Sequence, residues 1–365
     1  MSDQRLRRAQ QVMAAQGVDA LLLGPGADLR YLVGYHALPL ERLTLLVLPV
    51  AGEPVLLVPE LEVARAQDSG AGDHVELAAW SEIQDPIALV VERLQRAGAQ
   101  RGKLAVQDRL WTAFTLGLQT ALPAAAWLPG SQVMRELRLR KTPEEIAALH
   151  AAGAAIDAVH AAVPELLRPG RTEQQVGRDL AERILDDHDE VNFVIVASGP
   201  NGASPHHETG PRRIEAGDAV VIDIGGTRQG YCSDMTRNYA VGHVPEGYAA
   251  LHRLLERAQQ SAVEAVTPGS SAEAVDAAAR SIIAAAGHGA HFVHRTGHGI
   301  GIEEHEEPWI VEGNPLELEP GMAFSVEPGI YLPGRYGARI EDIVVVTPDG
   351  VARCNHRPRE LVVCT

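Results

Sequence analysis

The last two thirds of the chain repeat themselves. Pro169-Gly170-Arg171-Thr172-Glu173-Gln174-Gln175-Val176 recurs 99 residues later as Pro268-Gly269-Ser270-Ser271-Ala272-Glu273-Ala274-Val275. Each copy is a Pro-Gly turn leading into a helix. Thr172-x-x-Gln175 and Ser270-x-x-Glu273 both read as capping boxes. Past the helix, Asn192-Phe193-Val194 is matched by His291-Phe292-Val293. At an offset of 104, Glu215-Ala216-Gly217-Asp218-Ala219-Val220-Val221-Ile222-Asp223 faces Glu319-Pro320-Gly321-Met322-Ala323-Phe324-Ser325-Val326-Glu327. Each of these is a turn, an apolar strand and then one acid. Two helix–helix–strand copies cannot bury their apolar faces singly, so they are expected to face each other about a pseudo-two-fold axis. Asp223 and Glu327 then fall at equivalent places.

At about 150 residues per domain, the 365 residues suggest two or three domains, and the pattern along the chain favours two. The first, residues 1–130, reads as a small α/β domain with a mixed sheet and helices. Gln4–Gln16 is helix-like, and Ala20–Leu23 and Lys103–Val106 are strands. Leu43–Pro49 and Pro54–Pro59 form a hairpin across Ala51-Gly52, and Ile87–Ala97 is a further helix. The Pro- and Gly-containing stretch Leu122–Gly130 reads as the linker. In the second domain, residues 131–365, Thr142-x-x-Glu145 with Pro143 caps a long Ala-rich helix. That helix is expected to reach about Leu167, kinked or stopped at Pro164, and the next to run to about His188. The expected architecture there is a curved, mainly antiparallel sheet with two helix pairs behind it.

Net charge excludes some partners. With 32 Lys and Arg against 48 Asp and Glu, the chain carries −16 and lacks the basic surface that nucleic acid or an anionic membrane requires. Cys232, Cys354 and Cys364 show no framework spacing, which favours a reducing, cytoplasmic setting. No apolar stretch follows the N-terminal Arg5–Arg8 region, so no signal peptide is expected. Apolar runs such as Leu45–Ala51 are too short to span a bilayer.

An acid at the end of an apolar strand is costly unless it is paired, hydrogen-bonded or bound to a cation. Asp234 lies 11 residues after Asp223, and Glu341 lies 14 after Glu327. This is the spacing of adjacent strands joined by a short connection. Four carboxylates in one pocket repel strongly unless cations sit between them. His298, in Gly297-His298-Gly299-Ile300-Gly301, has small neighbours that permit close approach. Four carboxylates and an imidazole suit two divalent ions such as Mn²⁺, Co²⁺ or Zn²⁺.

The order Asp223, Asp234, His298, Glu327, Glu341 resembles the metal-ligand set of the pita-bread metallopeptidases. Gly297–Gly301 with His305-Glu306, and Pro205-His206 upstream of Asp223, resemble its proline-specific branch, Xaa-Pro dipeptidase (prolidase) and Xaa-Pro aminopeptidase. The resemblance covers about residues 135–365, and the preceding part resembles that branch's creatinase-type N-terminal domain. It implies a pita-bread catalytic domain and the following roles. Asp223 binds one metal, Asp234 and Glu341 bridge both, and His298 and Glu327 bind the other. A bridging hydroxide attacks the scissile carbonyl, and Glu327 also acts as general base. His206 and His305 hold the substrate, stabilise the tetrahedral intermediate and help protonate the leaving group. Arg339 is a substrate-binding or supporting cation. By the same analogy the protein is a homodimer acting on small peptides with proline second.

Dipeptide and longer-peptide specificity stay open at this level. A dipeptidase must read the proline carboxylate and block longer chains. A cation from the first domain, of its own or a partner subunit, would do both, and Arg42 is the candidate. The dipeptidase reading is preferred, with an aminopeptidase on longer peptides as the alternative. A metal-free binding module or a creatinase-like hydrolase is disfavoured because all five ligand positions are filled.

Overall fold

Ala20–Leu23 is apolar and buried at every position, as a strand covered on both faces must be. It lies inside the sheet of the first of two units, which divide between Arg138 and Leu139 in this computed structural model of residues 2–365. In chain order that unit comprises α1 (Ser2–Gln16), β1 (Ala20–Leu23), α2 (Ala27–Val33), β2 (Leu45–Pro49), β3 (Val55–Pro59), α3 (Val63–Asp68), β4 (Glu76–Trp80), α4 (Pro86–Arg96), β5 (Lys103–Val106), α5 (Thr112–Ala121), β6 (Ala126–Pro129) and α6 (Ser131–Arg138). The sheet order is β4-β3-β2-β1-β5-β6. It is mixed, as expected: β1–β2 and β2–β3 are antiparallel and the other pairs parallel. The expected hairpin is β2–β3, with Leu45 opposite Leu57 and Val47 opposite Val55.

The stretch read as a linker contains β6, which pairs with β5 from Lys103–Ala126 to Val106–Pro129. It is an edge strand, where a proline removes no ladder bond. α6 follows and buries Val133, Met134 and Leu137 while packing on α1, whose Leu6, Ala9 and Met13 are buried in turn. Residues 131–138 therefore fold with the first unit.

The second unit comprises α7 (Pro143–Leu166), α8 (Glu173–Ile184), β7 (Glu190–Ser198), β8 (Ala219–Arg228), β9 (Tyr231–Cys232), β10 (Met235–Val241), α9 (Tyr248–Glu264), α10 (Ala272–Ala285), β11 (Gly297–Gly299), β12 (Glu306–Ile310), β13 (Ala323–Val326), β14 (Gly329–Leu332), β15 (Tyr336–Arg339), β16 (Asp342–Thr347), β17 (Gly350–Arg353) and β18 (Val362–Cys364). Thr142 and Thr172 form the expected capping boxes. α7 continues through Pro164 to Leu166, because the proline sits in the last turn, where it removes a single helical bond. The hydroxyl of Tyr239 lies 3.3 Å from the His160 carbonyl that this proline leaves without its helical donor. By length and composition alone α7 could cross a bilayer. Its Ile156, Val159 and Val163 instead enter a core shared with α8, β8 and β10.

The repeat is visible bond by bond. Gly170 N donates to Ile214 O and Gly269 N to Leu318 O, both at 2.8 Å. The return bonds, Ile214 N to Arg171 O and Leu318 N to Ser270 O, are also both 2.8 Å. Thr172 bridges Arg213, and Ser271 bridges Glu317. Gly217 and Gly321 open β8 and β13 at φ 93° and 92°, a region that only glycine enters without strain. Each half has its own apolar core.

Two details of the repeat differ from expectation. The helix cap in the second copy is Ser271, whose Oγ accepts from Ala274 N at 3.3 Å. Ser270 turns back to Thr267 O at 2.8 Å, so no reciprocal box forms there. Residues 291–293 do not form a strand. Arg280 donates to Phe292 O and His294 O, occupying carbonyls that a ladder would need, and the strand is delayed to β11.

The expected single sheet is two five-stranded sheets plus the ribbon β14–β15. One is ordered β18-β10-β8-β7 with β9 on β8; the other is β12-β11-β13-β16-β17. Every pair is antiparallel except β10–β18. The halves join along β10. Glu341 N donates to Thr236 O at 3.3 Å, Asn238 Nδ2 to Arg339 O at 2.7 Å, and Arg237 Nη1 to Glu341 O at 2.6 Å.

Candidate metal centre

The four acids and the imidazole singled out in the sequence come from both halves of this unit. Asp223 lies within β8, opposite Ile195 on one side and Thr236 on the other. It does not end its strand as expected, because β8 continues through Gly225-Gly226 to Arg228. Asp234 lies between β9 and β10, His298 is the middle residue of β11, and Glu327 directly follows β13. Glu341 lies between β15 and β16. Val326 pairs with Asp342, so Glu327 and Glu341 extend adjacent strands at one end of the second sheet.

His298 can lie here because its neighbours have no side chains. A Cβ on Gly297 would stand 1.8 Å from Ser325 O. Ser325 Oγ accepts from His298 N at 3.0 Å and donates to Glu327 Oε1 at 3.1 Å. His298 Nδ1 lies 3.1 Å from Gly299 O, so Nδ1 carries a ring proton and Nε2 is turned to the acids. Nε2 is 3.2 Å from Glu327 Oε1 and 3.7 Å from Asp234 Oδ2.

Burial and mutual repulsion set the titration of the cluster. Asp234 is pushed well above the usual carboxylate range by desolvation and then by the charges of Glu341, Asp223 and Glu327. Glu341 is raised likewise, by desolvation and then by Glu327 and Asp223. For Glu327 burial acts upward, but the hydrogen bond and charge of His298, with His294 and Arg339, bring it down to about 2.

This donor set fits divalent cations. Asp223 Oδ1, Asp234 Oδ1 and Glu341 Oε1 are buried without any hydrogen-bond partner. Native proteins rarely leave such atoms orphaned, since each costs roughly 1–3 kcal/mol. Among the described residues, Asp234, His298 and Glu341 each present a ligand atom within 4.8 Å of the other two. Hard oxygen donors with one imidazole suit Mn²⁺, Zn²⁺ or Co²⁺.

All five residues line one cavity of about 460 Å³, together with His206, His305, Arg339, His294, Arg295, Glu304, Phe193, Ile195 and Pro205. The His305 ring lies 3.9 Å from the His298 ring, centroid to centroid. Desolvation, then the charges of His298 and Arg295, draw His305 down to about 4. Arg339 is buried and largely committed. It donates to Asp223, to Thr236 Oγ1 at 3.1 Å, to Pro205 O at 3.2 Å and to Tyr331 Oη at 2.9 Å. Arg42 belongs to the first unit, where it pairs with Glu41 and Glu82.

Two buried acids support the site that sequence reading passed over. Glu173, at the first turn of α8, accepts from Ser198 N and Oγ, both at 2.7 Å, from Asn201 Nδ2 at 3.0 Å and from His207 Nε2 at 2.9 Å. It thereby holds the loop that carries His206. Asp276 of α10 accepts from Thr296 N and Oγ1 and pairs with Arg280, which grips the carbonyls of Phe292 and His294 ahead of β11. An acid in the first turns of a helix is also what helix-dipole compensation produces, so neither residue stood out in sequence.

Comparison with known proteins gives two domain matches. Residues 147–348 match metallopeptidase family M24, and residues 5–140 match the creatinase/prolidase N-terminal domain. A probable dipeptidase PepE of Mycobacterium tuberculosis is 51% identical over 98% of this chain and 96% of its own. An Xaa-Pro dipeptidase of Lactobacillus helveticus is 34% identical over 98% of each chain. The crystal structure of a recombinant prolidase from Thermococcus sibiricus superposes with a TM-score of 0.94 at 36% identity, covering 100% of this chain and 99% of the other.

Proposed function

The chain belongs to metallopeptidase family M24, and we propose that it hydrolyses the Xaa-Pro bond of dipeptides using two divalent ions held by Asp223, Asp234, His298, Glu327 and Glu341. The observation that carries this reading is the convergence of these five side chains in one cavity with three buried carboxylate oxygens left unpartnered. Asp223 would help hold one ion, His298 and Glu327 the other, and Asp234 and Glu341 would contribute to both. We take Mn²⁺ as the ion, with Zn²⁺ or Co²⁺ able to substitute. Bound divalent ions supply a polarised scissile carbonyl and a water that ionises near neutral pH.

The protein's own groups do the rest. Glu327, with Oε1 held by Ser325, receives the proton of the attacking water. The scissile bond to proline is a tertiary amide without N–H, so the leaving nitrogen must gain a proton as it departs. His206 and His305 line the cavity and can present ring N–H groups to the substrate carbonyl and that nitrogen. Arg339 positions Asp223 and carries positive charge against the cluster. Phe193 and Ile195 offer apolar surface to the substrate's side chain or ring.

Cys232, Cys354 and Cys364 are all free and buried, consistent with a reducing cytoplasmic setting. A homodimer is proposed by analogy with relatives. The decisive experiment is turnover of Ala-Pro and Ala-Pro-Ala after EDTA treatment and Mn²⁺ restoration. Rapid Mn²⁺-restored cleavage of Ala-Pro with little tripeptide turnover is expected. The reverse preference would make the protein an aminopeptidase, and no metal-restored activity on either substrate would refute the Xaa-Pro reading.

A further inference from the structure

A dipeptide differs from a longer peptide by a carboxylate, and that carboxylate is attached to the carbon bearing the scissile nitrogen. The cation that reads it must therefore stand in the same cavity as the ion-binding residues. Two guanidinium groups line that cavity, Arg295 and Arg339. Arg339 is largely committed to Asp223, Thr236, Pro205 and Tyr331.

Arg295 is different. It precedes β11 by two residues, and Thr296 N donates to Ile310 O across the β11–β12 pair, where His298 faces Trp309. The guanidinium carbon lies over the Trp309 ring, 4.3 Å from its centroid. A cation–π contact of this kind holds the guanidinium in place while leaving its N–H groups available. No hydrogen bond or ion pair satisfies those groups among the described residues. Arg295 is half-buried, and desolvation lowers its pKa with only Glu327's charge opposing. A half-desolvated guanidinium anchored on an aromatic ring and without an ion-pair partner, beside the proposed metal cluster, has the form of a carboxylate receptor.

From this, and resting on the Xaa-Pro reading above, we infer that Arg295, held over the Trp309 ring, binds the C-terminal carboxylate of the dipeptide and is the residue that sets dipeptide preference. The cation is thus supplied by the catalytic unit itself. Arg42, the sequence candidate, is already neutralised by Glu41 and Glu82.

The test compares Ala-Pro with Ala-Pro-amide, which differ in the carboxylate charge and not in chain length. Parent, Arg295→Ala, Arg295→Lys and Arg42→Ala are assayed with Mn²⁺ after their metal content has been measured. Losing a buried charge pair should cost Arg295→Ala about 30-fold or more in kcat/KM on Ala-Pro, mostly in KM, and at most about threefold on the amide. Arg295→Lys should recover part of the loss. Calorimetry should show the parent binding L-proline in preference to L-prolinamide, and Arg295→Ala showing no preference. Equal losses on both substrates would assign Arg295 a purely structural role and overturn the inference. So would an unchanged preference, or a preference lost in Arg42→Ala instead. Should Arg295→Ala lose its metal, Arg295→Gln carries the comparison with the same criteria. If the parent cleaves neither substrate, the Xaa-Pro reading fails and this inference falls with it. If the parent cleaves Ala-Pro and only the Arg295 result fails, the Xaa-Pro reading stands.

Discussion

Replacing Glu341 by Gln should stabilise the metal-free protein and weaken its response to metal. Glu341 is 1% exposed; Oε2 accepts from Thr236 Oγ1 at 2.7 Å, and Oε1 has no partner. Its ligand oxygen lies within 4.8 Å of that of Asp234. Two full charges at that separation repel by about 3.5 kcal/mol at an effective dielectric of about 20. The metal-free protein escapes part of this by retaining protons, which is why both carboxyls titrate high. Gln keeps the bond from Thr236 and can donate its amide N–H to a neighbouring carboxylate. The remaining relief should be about 1–3 kcal/mol, or roughly 3–9 °C in the Tm of a unit this size. With metal the order reverses. A ligand at a hundredfold its Kd stabilises by about 2.7 kcal/mol, and the variant forfeits much of that. The sign with pH follows from the raised folded pKa. The stability these carboxyls contribute is complete below their unfolded pKa and is lost as pH rises through the folded one. The gap between metal-free variant and parent should therefore widen from pH 5 to pH 8. Thermal unfolding of EDTA-stripped and Mn²⁺-restored samples across that range is the assay. A variant destabilised in EDTA by more than about 1 kcal/mol, or an equal Mn²⁺ gain in both proteins, would refute the electrostatic reasoning.

Three further outcomes are expected. Glu173→Gln keeps the shape of the side chain but removes the charge that gathers Ser198, Asn201 and His207. Denaturant unfolding should show a loss of about 2–3 kcal/mol, and turnover should fall while metal content is unchanged, because the loop carrying His206 is released. Tyr239→Phe deletes the hydroxyl 3.1 Å from His160 Nδ1 and 3.3 Å from His160 O. It should cost about 1–3 kcal/mol in chemical denaturation without altering KM. Gly297→Ala drives a methyl group into Ser325 O, so metal titration should show weakened binding through a displaced His298; unaltered affinity would mean that β11 can shift without moving the imidazole.

Much of the site was legible in sequence because its signals are local. Thr142 and Thr172 announce helix starts through residues three positions on, and Pro-Gly and Ala-Gly-Asp turns mark strand entries. Asp223 and Glu327 stand out as acids after apolar runs, and the offsets of 99 and 104 pair them. Signals of the same kind misled where two neighbours carried the same chemistry. Ser270 and Ser271 are both good caps, and the choice fell to Ser271 because that residue bridges Glu317 across the fold. The Pro-containing edge strand β6 read as a linker because four residues with a closing proline carry no alternation, and only pairing with β5 makes them a strand.

The sequence by itself determined the two-fold repeat, the capping boxes at Thr142 and Thr172 and the four acids and one imidazole that line the cavity, since these depend on residue type and short spacing. The tertiary structure decided which groups are committed and which are free. Arg339 and Arg295 are equally cationic in sequence; one is consumed by Asp223 and its neighbours, the other lies open on Trp309. Glu173 and Asp276 became anchors only when Ser198 and Thr296 were brought to them. Three carboxylate oxygens became orphans only when the halves closed around them. Such assignments depend on hydrogen bonds and desolvation between residues far apart in the chain, and no local pattern encodes those partners.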